Sequence, residues 1–214
     1  MLRLTLLKDS LNKMLFAILF VILVIFVTGF ICFFVRIRKM NAETFQKLCE
    51  KKVLRIAKEN NSYVVTDLHL SNYNRERINA HQVIFGKKYI YLISNFMLKG
   101  FVSGDEKDNS WIYYNNVNKK HNYLSNLHVL SEKNIRDFAG ILQISPDSII
   151  SICLVPNEVD FKIEHSKNDK ILIVHYSSLS SVIRKLESKQ IGEFDKEQIV
   201  EKFRLLNSKN GERN

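Results

Sequence analysis

The chain has 214 residues, of which 32 are basic and 22 acidic, so its net charge is +10. Apolar residues make up 46% of the chain, and there are only two prolines and seven glycines, which excludes a disordered or fibrous protein. The odd number and the positions of the three cysteines argue against a disulfide framework, and the absence of Cys-x-x-Cys and His-x-x-x-His pairs argues against a zinc site.

An apolar run over residues 14–35 predicts a transmembrane helix. The run has 22 residues without a charge, and a helix of that length spans roughly 33 Å, which matches a hydrocarbon core of about 30 Å. It ends in bulky residues rather than the small residues of a cleavage site, which favours a retained anchor. Residues 1–13 are then a short N-terminal tail. Residues 36–40 are a basic juxtamembrane stop, with Arg36, Arg38 and Lys39 expected at the membrane surface.

The distribution of lysine and arginine around this run predicts its orientation. The tail over 1–13 carries three basic residues, whereas the segment over 36–55 carries seven. Basic residues accumulate on the cytoplasmic side of membrane helices. We therefore expect a single-pass protein of the cell membrane whose C-terminal domain lies in the cytoplasm.

The rest of the chain predicts an α/β fold with a mixed sheet flanked by helices. Residues 41–59 place apolar side chains at helical spacing, and two β-rich runs over 77–85 and 88–94, joined at Gly86-Lys87, predict a hairpin. The other predicted strands cover 62–70, 99–103, 111–114, 149–155, 160–163 and 170–174. The other predicted helices cover 118–144, 179–186 and 196–206. Strands and helices mixed in this order are typical of α/β or α+β domains.

Several stretches share their order and spacing with one known family. They are Cys49-Glu50 on the first helix, the hairpin strands over 80–93, the segment 99–108 followed by Trp111, Lys120-His121-Asn122, and Pro156-Asn157. On these residues, the chain from about 42 to 188 resembles the nuclease-related domain (NERD) family. The resemblance implies a restriction-endonuclease-like mixed sheet over 41–188, followed by a C-terminal helix and polar tail over 189–214.

The resemblance also implies a position for a nuclease site. The family's hairpin carries an Asp on its first strand and Glu-x-Lys on its second; the carboxylates hold a divalent cation and the lysine steadies the developing charge. Alignment on Gly100 puts His81, Ser94 and Phe96 at these positions. None keeps the required chemistry, and Glu50 on the first helix is the remaining acidic residue of the degenerate site. The resemblance therefore implies an inactive domain without a cofactor.

A relocated site is the alternative. Asp/Glu-x-Lys triplets include 50–52, 105–107 and 160–162, and such short triplets arise readily by chance in a chain of this composition. A divergent Mg²⁺-dependent nuclease would need Glu50 to converge with Asp67 or Asp105. The simpler interpretation is that 105–107 is a solvated turn and that 160–162 belongs to an exposed strand face.

The basic excess allows three interpretations: attraction to anionic lipid, a phosphate-binding face, or a solvated lysine-rich surface. The candidate nucleic-acid-binding residues are Lys87, Lys88, Lys99, Lys119 and Lys120. The aromatic residues considered as possible base-stacking groups are Tyr89, Tyr91, Trp111, Tyr113 and Tyr114, most of which are expected in the core.

The leading hypothesis is a membrane-anchored, cytoplasm-facing NERD-like protein that has lost catalysis and acts by binding nucleic acid or protein. A divergent nuclease is one alternative, and a partner-binding membrane protein with no role on nucleic acid is another. The partners expected are membrane lipid, DNA or RNA, and unidentified proteins.

Overall fold

A computed structural model describes residues 18–30, 41–66, 68, 70–71, 78–163, 169–189, 192 and 195–211. The chain divides into two compact units, residues 1–41 and 42–214. In the first unit, residues 18–30 form helix α1, whose large apolar side chains are exposed. The remainder of the predicted span over 14–35, the tail, and Arg36, Arg38 and Lys39 lie outside the described residues. Within the described part of the chain, no helix is both long enough and apolar enough to cross a membrane.

The second unit contains two mixed sheets flanked by helices, which confirms the predicted α/β class. The helices are α2 (Ala42–Glu59), α3 (Leu127–Leu142), α4 (Leu179–Glu187) and α5 (Lys196–Gly211). The strands are β1 (Tyr63–Val65), β2 (Gln82–Phe85), β3 (Ile90–Asn95), β4 (Gly100–Gly104), β5 (Ser110–Asn115), β6 (Lys120–Ser125), β7 (Ile149–Val155), β8 (Asp160–Ile163) and β9 (Ile171–His175). The predicted strand over 62–70 is observed over three residues, and Asp67 and His69 lie outside the described part.

The first sheet has the strand order β1-β2-β3-β7-β9. Strands β1, β2 and β3 are antiparallel, whereas β7 runs parallel to both β3 and β9. All seven residues of β7 are buried, as expected for a strand between two parallel neighbours with both faces covered. The apolar run that predicted this strand is therefore at the centre of the sheet.

Helices cover both faces of the first sheet. On one face, Leu92 belongs to a core that includes Phe138 of α3 and Phe203 of α5. Tyr91 points to the opposite face because side chains alternate along a strand, and its hydroxyl donates to Glu187 of α4 over 2.6 Å. The Lys52 ammonium of α2 donates to the backbone carbonyls of Tyr176 and Ser177, in the turn that precedes α4, and this ties α2 to the same side of the sheet.

The second sheet has the order β6-β5-β4-β8. Strands β4, β5 and β6 are antiparallel, and β8 runs parallel to β4. One face forms a second core in which Val102 and Trp111 pack with Leu127 of α3 and with Cys153 and Val155 of β7. The second sheet therefore packs on the α3 side of the first sheet, and its other face points away from this core.

The predicted helix over 118–144 is wrong in its first third. Residues 120–125 form strand β6, which pairs with β5 along its whole length. Helix α3 begins at Leu127, where the Asn126 side chain caps it by accepting from the backbone N–H groups of His128 and Val129. Leu124 fits either a helical stripe or the alternation of a strand. The sequence therefore predicted the helical period of 3.6 residues where the structure has the strand period of 2 residues.

Candidate functional site

The hairpin of β2 and β3 is the region where the resemblance implies a nuclease site. Gln82 pairs with Ile93 and Phe85 with Ile90. The turn is tight, because the Gly86 N–H donates to the Tyr89 carbonyl over 2.9 Å. The other end of the hairpin contains the three hairpin positions of the degenerate site, His81, Ser94 and Phe96. Asn79 and Asn95 lie next to them in the chain.

Ser94 is buried, with 2% of its surface exposed, and its hydroxyl donates to the Asn79 carbonyl over 2.6 Å. The same carbonyl accepts from the side-chain amide of Asn134 over 3.0 Å, and the Asn79 N–H donates back to that amide over 3.1 Å. Asn134 lies on α3, so these bonds tie the helix to the segment before β2. The position expected for a metal-binding carboxylate is thus occupied by a hydroxyl engaged in structural hydrogen bonds.

His81 is half-buried beside this cluster. Its Nδ1 accepts from the backbone N–H of Asn95 over 3.1 Å, so the proton of the neutral ring lies on Nε2. Burial lowers the pKa of the His81 imidazole, which favours that neutral form. One ring nitrogen is therefore committed to the backbone, and the histidine acts as a hydrogen-bond acceptor within the hairpin.

Phe96 and Glu50 complete the predicted set and lie apart. The Phe96 side chain packs against the second core, and its N–H donates to the Leu154 carbonyl over 2.9 Å. Glu50 lies on α2, on the opposite side of the first sheet from Ser94, which shares the α3 face with Leu92. The structure brings His81 and Ser94 to one end of the hairpin and places Glu50 on the other side of the sheet.

The relocated acidic triplets do not assemble with these residues. In the β4–β5 loop, Asp105 accepts from the Lys107 N–H over 2.9 Å, and Asp108 accepts from the Asp105 N–H over 3.0 Å. Asp160 and Lys162 are exposed on β8, which confirms the expected exposed strand face. Across the described ranges, no group of three or more His, Cys, Asp or Glu side chains is arranged to hold a metal ion.

The five candidate lysines belong to two separate places. Lys87 and Lys88 lie at the β2–β3 turn beside α4, where Lys87 N–H donates to Glu187 and Lys88 donates to the Lys189 carbonyl. Lys99, Lys119 and Lys120 lie at one end of the second sheet, because Gly100, Asn115 and Lys120 are aligned across β4, β5 and β6. They therefore do not form one continuous phosphate-binding face.

Most of the aromatic residues considered from the sequence are in the core. Tyr89, Tyr91 and Trp111 are buried, and Tyr113 packs in the second core. Tyr114 alternates with Tyr113 and points to the outer face of the second sheet. Tyr123 also points to this face, because it pairs with Ile112; it was missed from the sequence because residues 118–144 were predicted as one helix.

Comparisons with protein families, with curated proteins and with solved structures found no match to this chain.

Proposed function

We propose that the chain is a membrane-anchored protein whose NERD-like domain faces the cytoplasm and binds a partner without cleaving nucleic acid. The observation that carries this proposal is the chemistry at the open end of the β2–β3 hairpin. Ser94 and His81 are uncharged and hydrogen-bonded to Asn79 and Asn95, and Phe96 packs in a core. These positions serve the stability of the fold.

A metal-dependent nuclease needs a different set of groups. Divalent cations such as Mg²⁺ take oxygen ligands, chiefly carboxylates, and the bound ion activates the attacking water. At this hairpin the available oxygens are a serine hydroxyl and the amides of asparagine and glutamine, and the Asn95 amide donates to Gln82 over 3.2 Å. Such neutral oxygens supply no negative charge to hold the ion, so binding is favoured over catalysis.

The anchor is supported by the apolar run over 14–35 and by helix α1 within it. Its side chains are exposed, with Phe26 at 76% and Phe20 at 66%, as suits a helix surrounded by lipid. The basic stop at Arg36, Arg38 and Lys39 supports a cytoplasmic domain and contact with anionic headgroups.

A cleavage assay tests the proposal. The full chain in lipid nanodiscs is incubated with labelled single-stranded and duplex DNA and RNA, with Mg²⁺ or Mn²⁺, and the product lengths are measured. We expect every substrate to remain intact, as in the EDTA control. Metal-dependent shortening that Glu50→Gln abolishes and Lys51→Ala leaves unchanged would contradict the proposal and establish the divergent nuclease.

A further inference from the structure

Strand β6 forms an open edge of the second sheet, with β5 as its neighbour. At six residues it is longer than the other strands at the sheet edges, since β1 has three, β8 four and β9 five. Every residue of β6 except the half-buried Leu124 is exposed. Proteins protect such edges with proline or with charge along the strand, whereas the one lysine of β6 is its first residue, Lys120. A long, exposed edge of this kind is a template for pairing with another strand.

The backbone groups of His121 and Tyr123 point to this open edge. The Asn126 N–H donates to the Asn109 carbonyl over 3.2 Å, which extends the ladder between β5 and β6 by one pair. Hydrogen-bonded and non-hydrogen-bonded pairs alternate along an antiparallel ladder, so the even-numbered residues of β6 are the ones that bond to β5. The N–H and C=O groups of His121 and Tyr123 therefore face away from β5, where a further strand would meet them.

The outer face of the second sheet is apolar up to this edge. Trp111 and Leu124 pack in the second core, so Ile112 and Tyr123, the next pair across β5 and β6, point outward. Tyr123 is 86% exposed and Ile112 is 50% exposed. Single exposed apolar residues need no explanation, but a contiguous group of them is typical of an interaction site. Here the group extends to the edge whose backbone groups face outward.

The two ends of β6 are bordered by charges of opposite sign. Lys119 and Lys120 are exposed where the strand begins. Where it ends, the side-chain amide of Asn126 donates to the Glu106 carbonyl over 2.7 Å and to the Asp108 carbonyl over 2.6 Å. The loop over 105–108, which carries three acidic residues and one lysine, therefore lies against that end of the strand.

This distribution of charge favours a second copy of the chain over a polyanion. Glu158 and Asp160 lie at the same end of the second sheet as Lys119, although at its other edge, so the sheet as a whole is not basic. A contact between two identical copies requires a surface that is complementary to itself. When two β6 strands pair antiparallel, the basic start of each strand lies beside the acidic loop at the end of the other. The charges then attract in both halves of the contact.

We propose that two copies of the chain associate by antiparallel pairing of their β6 strands, which joins the two four-stranded second sheets into one continuous sheet. Because the outward-facing backbone groups belong to His121 and Tyr123, odd-numbered residues pair with odd-numbered residues. The two-fold axis then passes through Asn122, which pairs His121 with the partner's Tyr123, or through Tyr123 itself. The contact goes beyond the proposed function, because it requires neither nucleic acid nor the loss of cleavage.

Disulfide crosslinking of the full chain in phosphatidylcholine vesicles tests this inference. In a Cys32→Ser background, Cys49 and Cys153 are buried, so one added cysteine reports the contact. Opposite Cα atoms of an antiparallel pair are about 4.5–5.5 Å apart, which is within the range of a disulfide. We expect a crosslinked dimer on mild oxidation of Asn122→Cys or Tyr123→Cys. The control is Val117→Cys in the β5–β6 turn, a position that is 70% exposed. The antiparallel pairing holds the two turns roughly 20 Å or more apart, so this variant should not crosslink.

A second pair of variants separates backbone pairing from other contacts. His121→Pro removes an N–H that points to the open edge, and an edge strand tolerates proline in that orientation. We expect His121→Pro to abolish the crosslink, whereas His121→Gln, which keeps the N–H, should retain it. Lys120→Glu should reduce the yield, because it places like charges beside the acidic loop of the partner.

The positions that crosslink decide the outcome even where a proline variant does not fold. Crosslinking at residue 117 as efficient as at residues 122 and 123, or none at 122 and 123, would overturn the inference. Dimers joined only through their membrane helices give that second result. Cleavage of nucleic acid is not involved in any of these measurements, so the inference can fail while the proposed function holds.

Discussion

At the scale of single residues, Gly100 fixes the geometry of the second sheet. Its φ of +130° is one that L side chains rarely adopt, and a Cβ there would lie 2.3 Å from the Tyr114 carbonyl oxygen. Gly100 therefore allows β4 to start close to β5.

Gly100→Ala is expected to destabilise the domain by about 2 kcal/mol or more, because backbone strain adds to the steric clash. The matched control is Gly140→Ala on α3, where a Cβ would meet nothing within 4 Å and alanine is the better helix former. Urea unfolding of the full chain in detergent measures both changes. Equal stability of the two variants would contradict the geometry assigned to Gly100.

His81 makes the stability of the domain depend on pH. Its pKa is lowered in the folded state by burial, while in the unfolded state it titrates near pH 6.5. The unfolded chain therefore binds the proton more readily. The stability contributed by the neutral ring is complete above about pH 6.5 and is lost as the pH falls through the lower, folded pKa. Burial also lowers the pKa of His128, which adds a contribution of the same sign.

His81→Gln should reduce the loss of stability between about pH 7.5 and pH 5.5, since glutamine does not titrate in that range. His128 is still present in this variant, so part of the loss of stability at low pH should persist. The urea midpoint at the two pH values provides the measurement, with His121→Gln on the exposed sheet face as the control. An unchanged pH dependence in His81→Gln would show that this ring is not the buried neutral acceptor described above.

At the scale of elements, the spacing of apolar residues was sufficient to predict a helix or strand where that spacing follows a single pattern. Helix α2 was predicted over 41–59 and observed over Ala42–Glu59, because Phe45, Cys49 and Val53 repeat on one face and all three are buried. Strand β7 was predicted over the residues it occupies, since a short run that is apolar throughout suits a central strand.

Strand β6 could not be predicted because its identity depends on pairing. Its residues are nearly all exposed, so no buried alternation separates it from the helix that follows. Strand β6 is defined by its pairing with β5, in which Trp111 is opposite Leu124 and Ile112 is opposite Tyr123. This pairing joins two segments of the chain and is not visible within either one. The same limit applies to the candidate site: the division of the five lysines into two groups follows from which strands are aligned.

Helix α5 belongs to the core of the first sheet, although it follows the segment for which the sequence predicted a family resemblance. Phe203 packs with its ring centroid 5.1 Å from that of Phe85 and 6.1 Å from that of Phe138. Phe203→Ala should lower the free energy of unfolding by about 3–5 kcal/mol, the usual effect of removing a buried aromatic ring. Gln198→Ala, an exposed change on the same helix, should have little effect. A small effect of Phe203→Ala would show that α5 is not required for the core.

At the scale of the whole molecule, the packing of helix α2 and of the second core can be tested through two cysteines. Cys49 lies on the buried face of α2 and Cys153 lies on β7 in the second core, and burial raises the pKa of Cys49 to about 12 and that of Cys153 to about 11. Because the thiolate is the reactive form, both should resist thiol reagents in the folded chain.

In a Cys32→Ser background, we expect neither thiol to react with a maleimide near neutral pH, and both to react in concentrated guanidinium. Labelling followed by mass spectrometry gives the number and position of the modified residues. Rapid labelling of Cys153 in the native chain would contradict a closed contact between the two sheets.

The whole molecule combines an apolar N-terminal run with a hairpin that has no metal-binding carboxylate at His81, Ser94 or Phe96. Together these features support the proposal of a membrane-anchored protein that does not cut nucleic acid. The opposing possibility is a nuclease whose acidic groups assemble only with substrate.

One measurement tests this central claim most directly. The full chain is reconstituted in phosphatidylcholine vesicles and incubated with an end-labelled single-stranded RNA and Mg²⁺, after which the RNA is sized on a gel. We predict that the RNA keeps its full length, as it does in a parallel reaction with EDTA. Shortened RNA that depends on Mg²⁺ and disappears with Glu50→Gln would contradict the claim.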